Sequence, residues 1–202
     1  MFYSAGQAAP QSTFHYLSIE GASRLTPGMQ NLFLIGMMGS WKSTVGRKLA
    51  LALKMEFIDT DDAIEVVTEM KISEIFREFG EKRFREMESA YFNEKAKQFG
   101  LVFSTGGGIV LDSINRKSLQ NKGICFLLDA SPKSLSQRIH NTTKRPLLTA
   151  SDNLEAQLQK IWDERKDYYR ESAHHIIDTN ELQPEEVIAE IMKILEVQVA
   201  NH

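Results

Sequence analysis

The stretch NLFLIGMMGSWKSTVGRKLA, Asn31 to Ala50, limits the possible folds more than any other part of the chain. It opens as a short apolar run ending at Gly36, which reads as a strand. It continues beyond Gly39 with apolar residues at Val45, Leu49, Ala52 and Leu53, the spacing of one helix face. A strand that runs through a glycine-bearing loop into a helix aims successive backbone N–H groups and the helix N-terminus at one point, which suits a phosphate. The pattern G-x-x-x-x-G-K-[ST] describes such loops. Gly36, Lys42 and Ser43 fit it, and Trp41 stands where the second glycine belongs. In this reading Lys42 reaches terminal phosphates and the Ser43 hydroxyl holds Mg²⁺. The competing reading is a plain strand–turn–helix joint in which Gly36 and Gly39 allow the turn and Lys42 is solvated.

Beyond Gln30 short apolar runs alternate with stretches of helical period, the sign of a parallel sheet with crossover helices in an α/β domain. Strands are predicted at 31–36, 56–59, 101–104, 123–128 and 175–178. Helices are predicted for TVGRKLALAL, for an acidic-basic region from Asp61 to Phe99, and near 112–120. Another carries Leu154, Leu158, Ile161, Trp162 and Tyr169 on one face, and PEEVIAEIMKIL closes the chain with Pro184 in its first turn. The segment from His140 to Asn153 is polar, contains Pro146 and has no period, so a mobile loop is expected. Residues 1–28 lack periodicity and both parts of a signal peptide; a disordered extension is expected, ahead of a single domain over 29–197.

Composition narrows the partners. A net charge of −3 argues against nucleic acid, because neutralising a phosphate backbone takes a basic stripe, so any anionic ligand must be held by a local cluster. No apolar run approaches the roughly 18 residues of a membrane span, and a soluble, cytoplasmic protein is expected. Cys125 is the only cysteine; within GICFLLDA it reads as a buried strand residue in a reducing compartment. No heptad pattern or exposed apolar stripe is evident, and a monomer is expected.

FIDTDD, FGEKRFREME, STGGGIV, RPLL and RKDYY follow the loop in that order. With them the chain resembles the shikimate kinases, in the nucleoside-monophosphate-kinase-like group of P-loop enzymes, over roughly Gln30 to Leu195. The resemblance implies a three-layer α/β P-loop kinase fold. Its five-stranded parallel sheet would have the order 2-3-1-4-5, flanked by helices, with a mobile lid near 140–153. It also implies transfer of the ATP γ-phosphoryl group to the 3-hydroxyl of shikimate, with Mg²⁺, in aromatic amino-acid biosynthesis.

FIDTDD puts Asp59 and Asp61 at the carboxyl end of a strand, where ligands bind in open α/β sheets. By resemblance Asp59 holds magnesium with Ser43, and Asp61 binds the substrate hydroxyls and receives the proton of the attacking one. Helix capping is the alternative, with Asp62 and Glu65 as a D-x-x-E pair opening the next helix. A substrate carboxylate calls for guanidinium forks. Arg85 and Arg165 match the two family arginines that clamp it, although each alone reads as a surface arginine. Gly106, Gly107 and Gly108 let backbone approach a small ligand closely, and in the family this run touches the substrate. ATP would lie on Gly39, Ser40, Trp41, Lys42, Ser43 and Thr44, with Arg138 stacked on adenine and Arg145 reaching the phosphates from a lid that excludes water. Arg138 reads equally well as an exposed helix cation. Lys42, Asp61 and Arg145 are the expected catalytic residues.

Trp41 bears on every part of this reading. Glycine at its position serves either a positive φ, which another residue adopts at about 1–2 kcal/mol, or an approach of phosphates too close for a Cβ. The indole must fill the phosphate volume or swing out and pull on the loop. Losing about 3 kcal/mol would carry an ATP dissociation constant from about 10⁻⁴ M to beyond about 10 mM. The acids, arginines and three glycines are nevertheless all in place. The expectation is a shikimate kinase whose activity Trp41 impairs, or one whose loop has adapted to it. The alternatives are an ATP-deficient pseudokinase that still binds shikimate or a related hydroxy acid, and a related small-molecule kinase such as one for gluconate.

Overall fold

A computed structural model describes residues 30–139 and 153–200, with side chains as far as Gln198. Five strands, β1 (Asn31–Ile35), β2 (Glu56–Asp59), β3 (Leu101–Ser104), β4 (Gly123–Asp129) and β5 (His175–Asp178), pair in parallel in the order β2-β3-β1-β4-β5. Among the described residues the helices are α1 (Lys42–Leu53), α2 (Thr60–Thr68), α3 (Ile72–Lys95), α4 (Ser113–Asn121), α5 (Pro132–Arg138), α6 (Leu154–Ser172) and α7 (Pro184–Ala200), with a 3₁₀ turn at Ile109–Leu111. None of the helices is long and apolar enough to cross a membrane.

Period two along the strands sorts the core into two halves. Phe33, Ile35, Phe103, Cys125 and Leu127 face Phe92 of α3, Leu119 of α4 and Leu158, Ile161 and Tyr169 of α6. Leu32, Leu34, Val102, Phe126 and Leu128 face Val45, Leu49 and Leu53 of α1 and Val187, Ile191 and Leu195 of α7. Helices on both sheet faces are why β1 and β3 carry no alternating polar residues. The three-layer architecture and strand order are those expected.

The region expected to be helical from Asp61 to Phe99 divides. Glu69 takes a left-handed conformation (φ 55°) that ends α2, and Gly80 (φ 77°, ψ 167°) breaks α3 partway. The Asp62–Glu65 cap does not form. A capping acceptor must stand two or three residues ahead of the orphan N–H groups, and with α2 beginning at Thr60 only Asp59 does so. Its Oδ1 accepts from the Asp61 and Asp62 N–H groups at 3.1 and 3.5 Å. Asp62 pairs instead with Arg47, and Glu65 accepts from the Lys71 ammonium and the Ile72 N–H. The expected extension at 1–28 and the expected lid, with Arg145, lie outside the described residues apart from Asn153.

Asn31 anchors the end of the sheet opposite the glycine loop. Fully buried, its Nδ2 donates to the carbonyls of Ala96 (3.3 Å) and Gln98 (2.7 Å), and its Oδ1 accepts from the Leu101 N–H (3.0 Å). The chain between α3 and β3 is thereby tied to β1. Asn31→Leu is expected to cost about 2–4 kcal/mol in urea unfolding, because three backbone groups lose their partner, while ligand affinity of the folded protein stays unchanged.

Candidate active site

The carboxyl ends of β1, β2 and β3 bring the candidate residues together. β1 passes into Gly36, whose φ is 140°; a Cβ there would lie 2.6 Å from the Leu128 carbonyl oxygen, so this turn requires glycine. The Lys42 ammonium is buried and folds back across its own loop, donating to the Met37 carbonyl (2.8 Å) and the Ser40 hydroxyl (3.4 Å). A solvated lysine in a plain turn would not do this. Among the described residues no side chain caps α1, which leaves its first N–H groups to an anion. The Ser43 hydroxyl donates to Asp59 Oδ2 at 2.6 Å and lies 3.1 Å from the Ser104 hydroxyl. Asp59 thus caps α2 with one oxygen and meets Ser43 with the other. These hard oxygen donors suit a magnesium-sized cation. Among the described residues no group of three acids, histidines or cysteines could hold a metal, so water and ligand oxygens would complete the shell.

Asp61 and Glu88 converge on Gly106. A Cβ built there would stand 2.1 Å from Glu88 Oε1 and 2.7 Å from Asp61 Oδ1. Both oxygens are shielded from solvent without a hydrogen-bond partner among the described residues. Burial, reinforced by the neighbouring carboxylates of Glu88 and Asp59, pushes the Asp61 carboxyl up to about 7, with Lys42 and Arg85 opposing. Burial also raises Glu88, against the pull of Arg85. Arg85 donates to Glu88 Oε2 (2.7 Å) and to Glu81 (3.1 Å), and its guanidinium lies directly on Gly108, where a Cβ would come within 2.3 Å of Cζ.

Arg165, buried on α6, donates to the Gly107 carbonyl at 3.2 Å, while its Nε has no partner among the described residues. The Tyr169 hydroxyl donates to the same carbonyl. Gly106 and Gly108 are therefore glycines because charged side chains crowd them. Gly107 has room, its nearest neighbour being 3.6 Å from a built Cβ, and contributes its carbonyl. Two carboxylate oxygens and a guanidinium nitrogen, buried and unpaired, form a polar surface that a ligand bearing hydroxyls and a carboxylate would satisfy.

Of the expected residues, Lys42, Ser43, Asp59, Asp61, Arg85, Gly106, Gly107, Gly108 and Arg165 meet here, whereas Arg138 stands at the Trp41 rim of the loop. Gly39, Ser40 and Thr44 line the same loop and the first turn of α1. Glu88 was missed, although the Arg85–Glu88 spacing of three on a helix was legible as a pair. Tyr169, expected on the apolar face of its helix, brings its hydroxyl to the Gly107 carbonyl as well.

Trp41 has φ 66° and ψ 14°, the left-handed conformation that glycine would take freely. The strain is about 1–2 kcal/mol. Its indole packs against the cluster of β1, α1 and α7 and under the Arg138 guanidinium, whose Cζ lies 3.6 Å from the ring centroid. Such a cation–π contact contributes about 0.5–2 kcal/mol, the same order as the strain.

A family model for shikimate kinase matches residues 38–196. A shikimate kinase of Thermodesulfovibrio yellowstonii is 42% identical over 165 residues, covering 82% of this chain and 94% of that protein. One from Legionella pneumophila strain Corby is 40% identical, covering 83% and 95%. The solved structure of shikimate kinase from Acinetobacter baumannii in complex with shikimate aligns with a TM-score of 0.82 at 35% identity, covering 88% of this chain and 98% of that one. A gluconokinase from Sinorhizobium meliloti 1021, with a TM-score of 0.56 and 19% identity, shares the fold alone.

A raised carboxyl pKa in the folded state means that stability is present below the unfolded value of 3.8 and is lost as pH rises through about 7. Asp61→Asn removes the buried charge and keeps the shape. At pH 8 it is expected to stabilise the ligand-free protein by roughly 2–4 kcal/mol in denaturant titration, and by far less at pH 4.

Proposed function

The chain belongs to the shikimate kinase family, and we propose from that premise how its residues move the γ-phosphoryl group of ATP to the 3-hydroxyl of shikimate. The convergence of Asp61, Arg85 and Arg165 on Gly106–Gly108, beside the Lys42 loop, carries the reading. Lys42 and the N–H groups of the loop hold the triphosphate and take up charge that grows on its oxygens. Ser43 and Asp59 would hold Mg²⁺, which when bound neutralises phosphate charge. Arg85 and Arg165 grip the shikimate carboxylate, Glu88 keeps the Arg85 fork in its plane, and Asp61 orients the ring hydroxyls.

The 3-hydroxyl oxygen forms a bond to the γ-phosphorus as the bond to the bridging oxygen breaks. ADP leaves with the electron pair, and the hydroxyl proton passes to Asp61. A carboxyl pushed up to about 7 is matched to that task near neutral pH. Arg145 belongs to this reading as a lid cation, and Arg138 as a neighbour of the base. We read the protein as a cytoplasmic monomer. The indole seat on Arg138 favours a loop adapted to Trp41 over a loop disabled by it.

Shikimate-dependent release of ADP in a coupled assay tests the assignment. kcat/KM is expected to rise with pH through about 7, as Asp61 loses its proton, and Asp61→Asn to lower kcat at least about 100-fold. Arg165→Lys should raise KM for shikimate about tenfold or more, since an ammonium cannot reproduce the planar fork. A protein whose melting temperature rises with shikimate but not with ATP and magnesium, and which releases no ADP, would be the pseudokinase instead.

A further inference from the structure

We propose that Trp41 is a positioning residue of the nucleotide site: its indole is the floor on which Arg138 is laid flat, so that the guanidinium presents its outer face as a platform for a planar base. The proposal deepens the reading above and rests on it, since it takes a nucleotide to fill the Lys42 loop. Among the described residues the guanidinium is held on one face and at both terminal nitrogens. Its inner face lies on the indole at 3.6 Å. Along its edges, Nη1 donates to the Thr179 hydroxyl (3.2 Å), and Nη2 donates to the carbonyls of Thr179 and Asn180.

Those acceptors are themselves anchored. The Thr179 N–H and hydroxyl both donate to the Asp129 carbonyl at the end of β4, at 2.8 and 2.9 Å. Asn180 Oδ1 accepts from the Ser131 N–H and the Ser134 hydroxyl at the start of α5, each at 2.9 Å. Among the described residues Trp41 is the one ring over Arg138, and the indole's own packing against the β1–α1–α7 cluster leaves the guanidinium as the outer layer. A flat, delocalised cation with no described ring on its second face stacks well on aromatic rings. The platform also begins next to the phosphate loop, because Trp41 directly precedes Lys42. A left-handed tryptophan persists only where its surroundings over-determine it, and here they are the groups that fix the platform.

The test compares two probes that share phosphates and differ in having a base. In calorimetric titrations of the full chain, Trp41→Gly is expected to weaken ADP about tenfold and to change inorganic tripolyphosphate less than about twofold. Trp41→Phe, which keeps an aromatic floor and the same backbone demand, should recover most of the ADP affinity. Arg138→Ala should reproduce the loss, and Trp41→Gly should add nothing further in that background. The proposal falls if Trp41→Gly binds ADP as tightly as the parent protein, if ADP and tripolyphosphate weaken together, or if the two substitutions add fully. A parent protein that binds ADP with this base dependence yet phosphorylates no shikimate would overturn the functional reading and leave the stack standing.

Discussion

Two carboxylates aimed at one glycine are the constraint around which this end of the molecule is arranged. Asp61 and Glu88 each hold a solvent-shielded oxygen against Gly106 with no donor among the described residues. Left alone, such a pair would drive its own protonation or separate. Arg85 and Arg165 make it tolerable from either side, and the glycines make it sterically possible. A ligand that donated hydroxyl hydrogens to the acids and offered a carboxylate to the arginines would satisfy the unpaired groups. The same desolvation that raises Asp61 opposes folding and suits the group to accept a proton.

Stability is found elsewhere in the molecule. The sheet is covered on both faces, and the Phe33, Phe92 and Phe103 rings pack edge-on and tilted at centroid distances of 5.1 to 5.8 Å. Asn31 ties the far end of the sheet with three hydrogen bonds. A rigid scaffold at one end lets the other carry unpaired charge, a left-handed tryptophan and a buried lysine folded over its own loop.

The phosphate loop illustrates how a strained residue is retained. Trp41 pays for its dihedral with a stack on Arg138, and Arg138 is fixed in turn by backbone at the end of β5. Three segments distant in sequence, the loop, the end of α5 and the Thr179–Asn180 turn, therefore meet through one guanidinium. Nothing in the spacing of Trp41 and Arg138 along the chain announced that contact, because it depends on how α5 is placed relative to α1.

Sequence alone determined the five strands, their parallel character and the loop that joins β1 to α1, because short apolar runs, a glycine loop and helical periodicity are local properties set by backbone sterics and burial, whereas Arg85, Arg165 and the three glycines stood out only through the family resemblance. Asp59 and Asp61, where β2 runs into α2, and Lys42 and Ser43, opening the helix after the glycine loop, were legible for the same local reason. Tertiary structure decided what local patterns do not encode. It assigned the α2 cap to Asp59, broke the long helical region at Glu69 and Gly80, and brought Glu88 to Asp61. It also gave Trp41 a partner 97 residues away in the chain, 138 less 41. Those outcomes depend on distances between elements, which the packing of helices onto both faces of the sheet sets and no stretch of chain specifies by itself.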